Sequence, residues 1–304
     1  MTIREALDQG TAMLNSNGIE SANLDASLLL AKVLGISRST MFSAGNVQIT
    51  DKSLAIYYEF LKRRTSGECT AYILGKKEFY NLDFSVNPAV LVPRPDTETL
   101  VEAALGIVRS AETSDTSTFR ILDLCTGSGA VAIALKYEMP ELEIWATDIS
   151  QEALEIAQSN AERLLAKQPD SIIFHLGDIF SALPPSSNEI LFDMIVSNPP
   201  YIPTKKIAKL PLEIKKEPRI ALDGGTDGLE IITEIVEKAP CYLKANGILL
   251  IEADPEQMEK IGTLFDKANF NEIKIYKDLS GLDRVISGKN SLKIKNEEKD
   301  KKHV

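Results

Sequence analysis

The tetrapeptide Asn198-Pro199-Pro200-Tyr201 (the NPPY tetrapeptide) carries residue types that suit hydrogen bonding to a planar group. It follows an apolar run at residues 192–197 that predicts a strand, and two prolines without an amide N–H must end that strand in a rigid turn. The free carbonyls and the Asn198 side-chain oxygen are acceptors without competing backbone donors. The tetrapeptide therefore suits a group that offers two N–H donors, although a strand simply ended by prolines explains it equally well.

A second chemistry-bearing stretch, Cys125-Thr126-Gly127-Ser128-Gly129 (the glycine loop), lies between a predicted strand and a predicted helix. Glycines at such a turn let the backbone approach a ligand and direct N–H groups towards it. Cys125 and Ala132 occupy the first and last glycine positions of the dinucleotide fingerprint, so the loop is less suited to binding the pyrophosphate of a dinucleotide. Two glycines at a tight turn are also common for structural reasons alone.

Acidic residues close the next two predicted strands. Asp148 stands at the distance beyond the glycine loop at which an acidic residue accepts hydrogen bonds from ribose hydroxyls, although it could instead cap the helix that starts near Ser150. Asp178 and Ile179 follow the third strand and could form a wall for an adenine ring, or Asp178 could be a solvated turn residue. The spacing predicts a ligand that contains a nucleoside.

A mostly parallel sheet would bring these stretches together. Short apolar strands alternate with amphipathic helices, which indicates a doubly wound α/β sheet covered on both faces. The predicted strands lie at residues 119–124, 142–147, 171–176, 192–197, 247–252, 272–277 and 283–288. The last two are too close in sequence for a crossover helix, so they must form a C-terminal antiparallel hairpin. If the fourth strand lies beside the first, the NPPY tetrapeptide and the glycine loop share one cleft.

The chain divides into four predicted segments. Residues 1–75 read as a small all-α domain of three helices, and residues 76–93 as a β-hairpin linker that turns at Asn87-Pro88. Residues 94–288 form the α/β domain, which begins with a helix opened by Asp96 or Thr97 and contains a polar loop at residues 110–118. The Lys-rich residues 289–304 are expected to be a disordered tail.

Composition excludes several classes of function. The net charge of −10 argues against a protein that binds by neutralising phosphates. Three scattered cysteines and two histidines give no support for a metal site or a Cys/His nucleophile, and they suit a reducing compartment. The charged start and the lack of an apolar run of about 18 residues predict a soluble, cytoplasmic protein.

The order of these motifs resembles the class I S-adenosylmethionine-dependent methyltransferases that methylate amino nitrogens. Further stretches narrow the resemblance to the HemK/PrmC family, the release factor glutamine N5-methyltransferases, and it covers residues 1–288. These stretches are Tyr72-Ile73-Leu74-Gly75, Glu78-Phe79, the run from Leu91 to Glu98, Glu217-Pro218-Arg219 and the run from Gly224 to Leu229. The chain departs from the family pattern at Cys125, Cys69 and Ile179, of which the first and third could weaken donor binding.

The resemblance implies a seven-stranded Rossmann-like methyltransferase sheet with a role for each motif. The glycine loop would hold the methionine part of S-adenosylmethionine, Asp148 its ribose, and Asp178 and Ile179 its adenine. The NPPY tetrapeptide, with Asn198 also touching the donor, would hold the glutamine of the Gly-Gly-Gln motif in class 1 peptide chain release factors. Residues 1–75 would bind the release factor. We expect a monomer that uses S-adenosylmethionine, yields S-adenosylhomocysteine, and needs no metal, nucleic acid or membrane.

An amide nitrogen is a poor nucleophile because its lone pair is delocalised into the carbonyl. We hypothesise that the Asn198 side-chain oxygen and the Pro199 carbonyl accept the two amide protons, while the prolines prevent these acceptors from relaxing away. The gain would come from orientation and from stabilising positive charge on nitrogen, not from a dedicated general base. Tyr201 would pack its ring against the amide or near the sulfonium.

Two other classes of function fit parts of the pattern. Adenine-N6 DNA methyltransferases carry a similar tetrapeptide, because a flipped adenine presents an amine of similar geometry. The acidic charge and the lack of a basic recognition domain in residues 1–75 count against this alternative. A donor-binding scaffold without activity is the other alternative, and the intact NPPY tetrapeptide counts against it.

Overall fold

The computed structural model describes residues 1–110, 119–166, 172–183 and 191–291. The predicted polar loop, from residue 111 onward, and residues 292–304 of the predicted tail lie outside these ranges. Within the described ranges, no helix combines the length and the apolar character needed to cross a bilayer.

Five helices make up residues 1–75. They are α1 (Ile3–Ser16), α2 (Ala22–Leu34), α3 (Arg38–Ser43), α4 (Asp51–Thr65) and α5 (Thr70–Leu74). The predicted capping box is present at the start of α1, where Thr2 accepts from the Glu5 N–H and Glu5 accepts from the Thr2 N–H. Helices α3 and α5 were not predicted because they are too short to show a helical period.

The spacing of Leu24, Leu28 and Ala31 predicts one apolar face of α2, and this face is only partly buried. Ala31 is buried, whereas Leu24 is 46% exposed. The other buried apolar positions are Ala22, Ala26, Leu29 and Leu30. The small alanines let α2 pack closely on its neighbours, so the largest residues do not mark the inner face there.

A two-stranded hairpin of β1 (Lys76–Phe79) and β2 (Leu82–Ser85) follows α5. Its turn residues Tyr80 and Asn81 both have positive φ, 50° and 59°, as the tight turns that suit a hairpin's twist require. The chain also turns at Asn87-Pro88, where the Val90 N–H donates to the Asn87 carbonyl at 3.1 Å. This turn does not join two strands as predicted, because residues 89–92 form no strand. A tyrosine at positive φ is uncommon, so little in the sequence indicates that the chain turns at Tyr80 and Asn81.

The central sheet has seven strands in the order β5-β4-β3-β6-β7-β9-β8. Their bounds are β3 (Arg120–Leu124), β4 (Glu143–Asp148), β5 (Ile172–Leu176), β6 (Phe192–Ser197), β7 (Leu243–Glu252), β8 (Phe270–Lys277) and β9 (Asp283–Asn290). Strands β3 to β7 run parallel, and β9 is antiparallel to both of its neighbours. The doubly wound sheet with a final antiparallel hairpin is confirmed. Because β9 continues to Asn290, the predicted start of the tail at residue 289 is wrong.

Helices cover both faces of this sheet. One face carries α6 (Glu98–Ser110), α7 (Ala130–Glu138) and α8 (Gln151–Leu164), and the other carries α11 (Glu230–Lys238) and α12 (Met258–Lys267). The short helices α9 (Thr204–Ile207) and α10 (Leu212–Lys215) lie in the long connection after β6. The predicted alternation of strands and helices is thus present, with α7 after β3, α8 after β4, α11 before β7 and α12 after β7.

Strands β3 and β6 are neighbours, as predicted. Leu124 pairs with Ser197 at their carboxyl ends, and the Ser197 hydroxyl donates to the Leu124 carbonyl at 2.9 Å. The glycine loop begins directly after β3 and the NPPY tetrapeptide directly after β6. Both stretches therefore start from the same edge of the sheet, at the point where its winding reverses.

Candidate active site

The glycine loop is held in shape by Asp123, the buried fourth residue of β3. Its Oδ2 atom accepts from the Thr126 hydroxyl at 2.6 Å and from the Ala132 N–H at 3.2 Å. Burial raises the pKa of Asp123 to about 7, while these two hydrogen bonds oppose the shift. The carboxylate thus ties the loop to the first turn of α7.

The two loop glycines serve different purposes. A Cβ atom on Gly129 would lie 2.8 Å from Ile133 Cδ1 and 3.2 Å from Ala157 Cβ, so this glycine allows α7 and α8 to pack closely. Gly127, at φ 56°, has no atom within 4 Å of the position of a Cβ and therefore faces open space. Cys125 adopts φ 59° where glycine would do so without strain. The chain keeps the backbone shape of the loop at this position despite the cysteine.

Asp148 closes β4 and holds the glycine loop from the other side. Its Oδ2 atom accepts from the Gly127 N–H at 2.8 Å and its Oδ1 atom from the Ser150 N–H at 2.9 Å. Ser150 itself caps α8 through its hydroxyl, so Asp148 is not the side-chain cap. Each carboxylate oxygen accepts up to two hydrogen bonds, so Asp148 retains capacity for two hydroxyl donors. Burial raises the pKa of Asp148, and the backbone N–H groups oppose this.

A cavity of about 620 Å³ opens beside these residues. Its volume falls within the usual range for small-molecule sites. Five predicted donor-binding residues line it, together with Asn198 and Pro200 from the NPPY tetrapeptide. Those five are Cys125, Gly127, Asp148, Asp178 and Ile179. The cavity therefore brings the acceptor and ligand motifs into one space.

Asp178 and Ile179 form the end wall of this cavity. Asp178 is exposed, whereas Ile179 is buried and adopts φ 46°. A β-branched residue at positive φ is strained, and such strain concentrates at ligand sites. Gly177 precedes them, and a Cβ there would lie 2.6 Å from the Ala182 backbone. The tight turn fixes both side chains at the mouth of the cavity, where they can contact the edge and face of a planar ring.

The cavity is acidic. Its carboxylates are Asp148, Asp178, Asp223 and Glu230, and its one basic lining residue, Arg219, already pairs with Asp223 at 3.0 Å. Such a lining repels a phosphate group and favours a cationic ligand. A nucleoside that carries positive charge fits the cavity better than a dinucleotide does.

A small cavity of about 50 Å³ adjoins the first one, beneath Asn198. Thr126 and Ser128 line it, together with Arg94 and Thr97 from the segment before α6. Pro199 and Gly129 line neither of these two spaces. Pro199 is buried at the end of β6, so its side chain supports the turn from below.

Tyr201 lies on the other side of the turn. It lines a separate cavity of about 390 Å³ with Pro203, Lys206 and Gln257, and not the space that contains Asp148. The Tyr201 carbonyl accepts from Gln257 Nε2 at 3.0 Å. Burial raises the pKa of Tyr201, so its phenol stays protonated at neutral pH. The structure thus separates Tyr201 from the nucleoside-sized cavity and places it where a second ligand would approach.

Glycines after β6 hold the NPPY tetrapeptide in place. Ile202 donates to the Leu222 carbonyl, and Gly224 donates back to the Ile202 carbonyl at 2.9 Å. A Cβ on Gly224 would lie 2.7 Å from the Pro200 carbonyl oxygen, and one on Gly228 would lie 2.3 Å from the Tyr201 carbonyl oxygen. Only glycine, which has no side chain, allows the backbone to come this close. The close packing fixes the carbonyls of Pro200 and Tyr201.

The orientation of the Asn198 side chain is set by Thr97. Asn198 Nδ2 donates to the Thr97 hydroxyl oxygen at 3.1 Å. Within the described residues, no donor contacts Asn198 Oδ1. This oxygen is therefore available as an acceptor beside the cavity, as the hypothesis of an amide acceptor requires. Thr97 was expected at the start of a helix, and its 101-residue separation from Asn198 hid this contact.

An ion pair joins the segment before α6 to the connection after β6. Glu217 is buried, pairs with Arg94, and accepts from the Val92 N–H at 3.1 Å. Burial raises the pKa of Glu217, and Arg94 opposes that rise. Both sides of the cavity, residues 89–92 and residues 218–221, are thereby fixed to one another.

Replacing Glu217 with Ala should open the connection after β6. We expect trypsin to cleave after Lys215, Lys216 or Arg219 about tenfold faster, because losing the buried anchor removes roughly 1.4 kcal/mol from the free energy of local opening. Mass spectrometry of the fragments would measure this. The matched control is Glu237→Ala at an exposed position of α11. Equal cleavage rates in both variants would mean that Glu217 does not hold the connection.

The same connection touches the helical domain. Arg64 at the end of α4 pairs with buried Asp25 at 2.8 Å and with Glu213 of α10 at 2.7 Å. Leu212 packs so closely on Gly67 that a Cβ there would lie 2.4 Å from the leucine side chain. The helical domain therefore lies against the chain that follows the NPPY tetrapeptide.

Glu252 is a further residue that the sequence interpretation missed. It ends β7, is 1% exposed, and faces the Thr97 hydroxyl, which lowers the pKa of the Glu252 carboxyl. An acidic residue directly after the apolar run Leu249-Leu250-Ile251 was the available signal, because charged residues seldom lie at the buried end of a central strand without a purpose.

Known proteins resemble this chain along nearly its whole length. Residues 5–75 match the family model described as the PrmC N-terminal domain, and residues 110–276 match the methyltransferase small domain. A release factor glutamine methyltransferase from Coxiella burnetii is 41% identical over 94% of this chain and 98% of its own length. The protein of the same description from Geobacter sulfurreducens is 37% identical over 95% and 96%.

Solved structures agree on the fold. A methyltransferase from Pyrococcus furiosus covers 71% of this chain and 92% of its own, with 18% identity and a TM-score of 0.50. The human methyltransferase 10 domain containing protein covers 70% and 90%, with 16% identity and a TM-score of 0.51. These likenesses show a methyltransferase fold. The family-model matches and the relatives above show that the chain belongs to the release factor glutamine methyltransferase family.

Proposed function

We propose that this chain transfers a methyl group from S-adenosylmethionine to the side-chain amide nitrogen of the glutamine in the Gly-Gly-Gln motif of class 1 peptide chain release factors. One observation carries the proposal: Asn198 Oδ1, a fixed acceptor, borders a nucleoside-sized cavity at the meeting point of β3 and β6. Family membership narrows the acceptor to a release factor glutamine, because the geometry alone would also suit another planar nitrogen.

The large cavity suits S-adenosylmethionine in shape and charge. Asp148 has lone pairs left for two ribose hydroxyls, and Asp178 and Ile179 can bound the adenine. Thr126, Gly127 and Ser128 surround the small space beneath Asn198, which suits the methionine part. The acidic lining favours the sulfonium cation over its neutral product, which aids product release. When bound, the donor supplies an electrophilic methyl group.

The chain's own residues would orient the acceptor amide. Asn198 Oδ1 would accept one amide proton and the Pro199 carbonyl would accept the other, which would turn the nitrogen towards the donor. Both acceptors carry partial negative charge and stabilise the positive charge that develops on nitrogen. The gain arises from orientation in a preformed site, since the turn is held by the glycine contacts and has no freedom to relax. Tyr201, beside the second cavity, would contact the chain that carries the glutamine.

The helical domain, residues 1–75, would bind the release factor outside its Gly-Gly-Gln loop. It lies against the connection after the NPPY tetrapeptide through the Arg64–Glu213 pair, so a protein docked on it can present a loop to the cleft. Phe42 on α3 is 50% exposed, with Arg38 over its ring, and Val47 nearby in sequence is also exposed. Exposed aromatic and arginine side chains are typical anchors of protein interfaces.

Replacing Phe42 with Glu should raise the KM for the release factor about tenfold, as expected for the loss of an interface anchor. Turnover at saturation and donor affinity should stay unchanged, because Phe42 lies far from the cavity in the fold. Steady-state kinetics with the whole factor and with a short Gly-Gly-Gln peptide would test this. The peptide should show no difference between variant and parent. An unchanged KM for the whole factor would exclude Phe42 from the docking surface.

Transfer of a labelled methyl group from S-adenosylmethionine shows whether the enzyme methylates a release factor or DNA. The proposal expects transfer to a class 1 release factor and none to duplex DNA, and transfer to DNA alone would overturn it in favour of an adenine-N6 enzyme.

Calorimetry measures whether the protein binds S-adenosylmethionine. A folded protein without affinity for S-adenosylmethionine would favour a scaffold without activity.

A further inference from the structure

Glu252 is a buried carboxylate that the chemistry described so far does not use. It is 1% exposed at the end of β7, and its Oε2 atom has no hydrogen-bond partner among the described residues. Burying a carboxylate in this way is costly unless something compensates for it. The polar side chain that faces it is Thr97, which lowers the pKa of Glu252 and is itself buried and hydrogen-bonded to Asn198 at 3.1 Å.

Thr97 lies between Asn198 and Glu252. When the Glu252 carboxylate is ionised, the donors and acceptors along this path can be arranged in only one direction. An ionised carboxylate accepts and cannot donate, so Thr97 must give its single hydroxyl proton to Glu252. The Thr97 oxygen is then left only as an acceptor, and it can bind Asn198 through Nδ2 but not through Oδ1. The charge on Glu252 therefore determines which atom of the Asn198 amide faces the cavity.

We propose that Glu252 and Thr97 are positioning residues that fix the Asn198 amide with its oxygen towards the substrate nitrogen. The inference rests on the proposed methyl transfer to an amide and names the residues that make its acceptor reliable. An asparagine amide can rotate by half a turn at little cost in shape, which would present N–H donors to a group that itself offers N–H donors. The chain from Asn198 through Thr97 to Glu252 makes that rotated state unfavourable.

The surroundings of Glu252 place its pKa near neutral pH, so both protonation states are accessible. Burial raises its pKa to about 7, whereas Thr97 and nearby cations oppose the rise. The charged and titratable groups that face it are Arg284, Asp96, Arg94 and Tyr201. Arg284 is already shared between Asp96 and Asp278, at 3.2 and 3.1 Å. A protonated Glu252 can donate to Thr97, which frees the hydroxyl proton to face Asn198 and permits the rotated amide.

Two substitutions of Thr97 separate the hydroxyl from the shape of the side chain. Thr97→Val keeps the shape and removes the hydroxyl, so kcat should fall about tenfold, as for one lost hydrogen bond, with the donor Kd unchanged. Thr97→Ser keeps the hydroxyl and removes a methyl group, so it should recover most of kcat. A role in packing alone predicts the reverse order, because serine leaves a small void and valine does not.

Glu252→Gln tests the charge through the pH dependence of kcat. In the parent, kcat should rise with pH through about 7, as Glu252 loses its proton and locks the chain in one direction. The Gln variant cannot ionise, so its kcat should be about tenfold lower at pH 8 and should not rise across this interval. Parallel pH profiles in the two proteins would contradict the proposal.

Thermal unfolding shows whether the variant is folded. The folded parent binds a proton at Glu252 that the unfolded chain has released between pH 4.5 and about 7, so its stability falls as pH rises through that interval. The Gln variant has no carboxyl group to ionise, so it does not lose this stability as pH rises. Its Tm at pH 8 should equal or exceed that of the parent. Lower activity with undiminished Tm is then a functional effect.

The outcomes distinguish this inference from the proposed function. If the parent transfers no methyl group to a release factor, the proposed function fails. If the parent is active and Thr97→Val matches it in kcat and in pH profile, or if Thr97→Ser is as impaired as Thr97→Val, the positioning role is wrong while the proposed function stands.

Discussion

Asn198→Ala should lower the turnover of release factor methylation on the order of 10²-fold or more, the usual cost of removing one preorganised polar contact from a reacting site. The substitution removes the acceptor oxygen that borders the cavity, while the prolines and glycines that shape the turn remain. The effect should fall on kcat, because the amide is oriented only when the reacting groups are aligned.

Donor binding provides the internal comparison for this variant. Asn198 lines the large cavity together with more than twenty other residues, so the Kd for S-adenosylmethionine should change little. The matched control is Asn271→Ala, an exposed asparagine on β8 at the far edge of the sheet, which should retain parental kinetics. Normal turnover in Asn198→Ala with normal donor affinity would remove the basis for an amide acceptor at this position.

Asp148→Ala should raise the Kd for S-adenosylmethionine at least tenfold, because it removes a charged acceptor for two ribose hydroxyls, each worth more than a neutral hydrogen bond. It also releases the Gly127 N–H, which Asp148 holds at 2.8 Å, and so loosens the glycine loop. Both consequences weaken the binding of S-adenosylmethionine. Calorimetry with S-adenosylmethionine and with its product measures this loss of affinity directly.

Asp178→Ala is the comparison for Asp148. Asp178 lines the same cavity but is exposed, so its contribution to donor affinity should be smaller. The KM for the release factor should not change in either variant once donor is saturating. An Asp148→Ala protein that binds donor as tightly as the parent would show that the ribose lies elsewhere.

The positions of the sheet strands followed from sequence because their signals are local. Apolar runs ended by Asp148, Gly177 and Asn198 mark the carboxyl edge of a parallel sheet, and the pairing of β3 with β6 follows from the fold class. The hairpin turn at Tyr80 and Asn81 was missed for an equally local reason, since tyrosine seldom adopts positive φ.

The partners of Asn198 depend on contacts that no local pattern records. Thr97 precedes it by 101 residues and Glu252 lies on another strand, and only the packing of β6 and β7 against the start of α6 brings the three together. Tyr201 was predicted to pack its ring against the amide or near the sulfonium. It lines a cavity separate from the one that contains Asp148, so packing against the amide stays the prediction.

Two departures from the family pattern lie at strained backbone positions. Cys125 and Ile179 both adopt positive φ beside the large cavity, and both were flagged from sequence as residues that could weaken donor binding. The structure keeps the loop conformation at each position, so the cost falls on folding stability, on the order of 1–2 kcal/mol per residue.

The most direct measurement is mass spectrometry of a class 1 release factor after incubation with this protein and S-adenosylmethionine. The account predicts one added methyl group, located on the side-chain amide nitrogen of the glutamine in the Gly-Gly-Gln motif, and none when Asn198 is replaced by Ala. A methyl group on any other residue, or an unmodified factor in the presence of active, donor-bound enzyme, would contradict it.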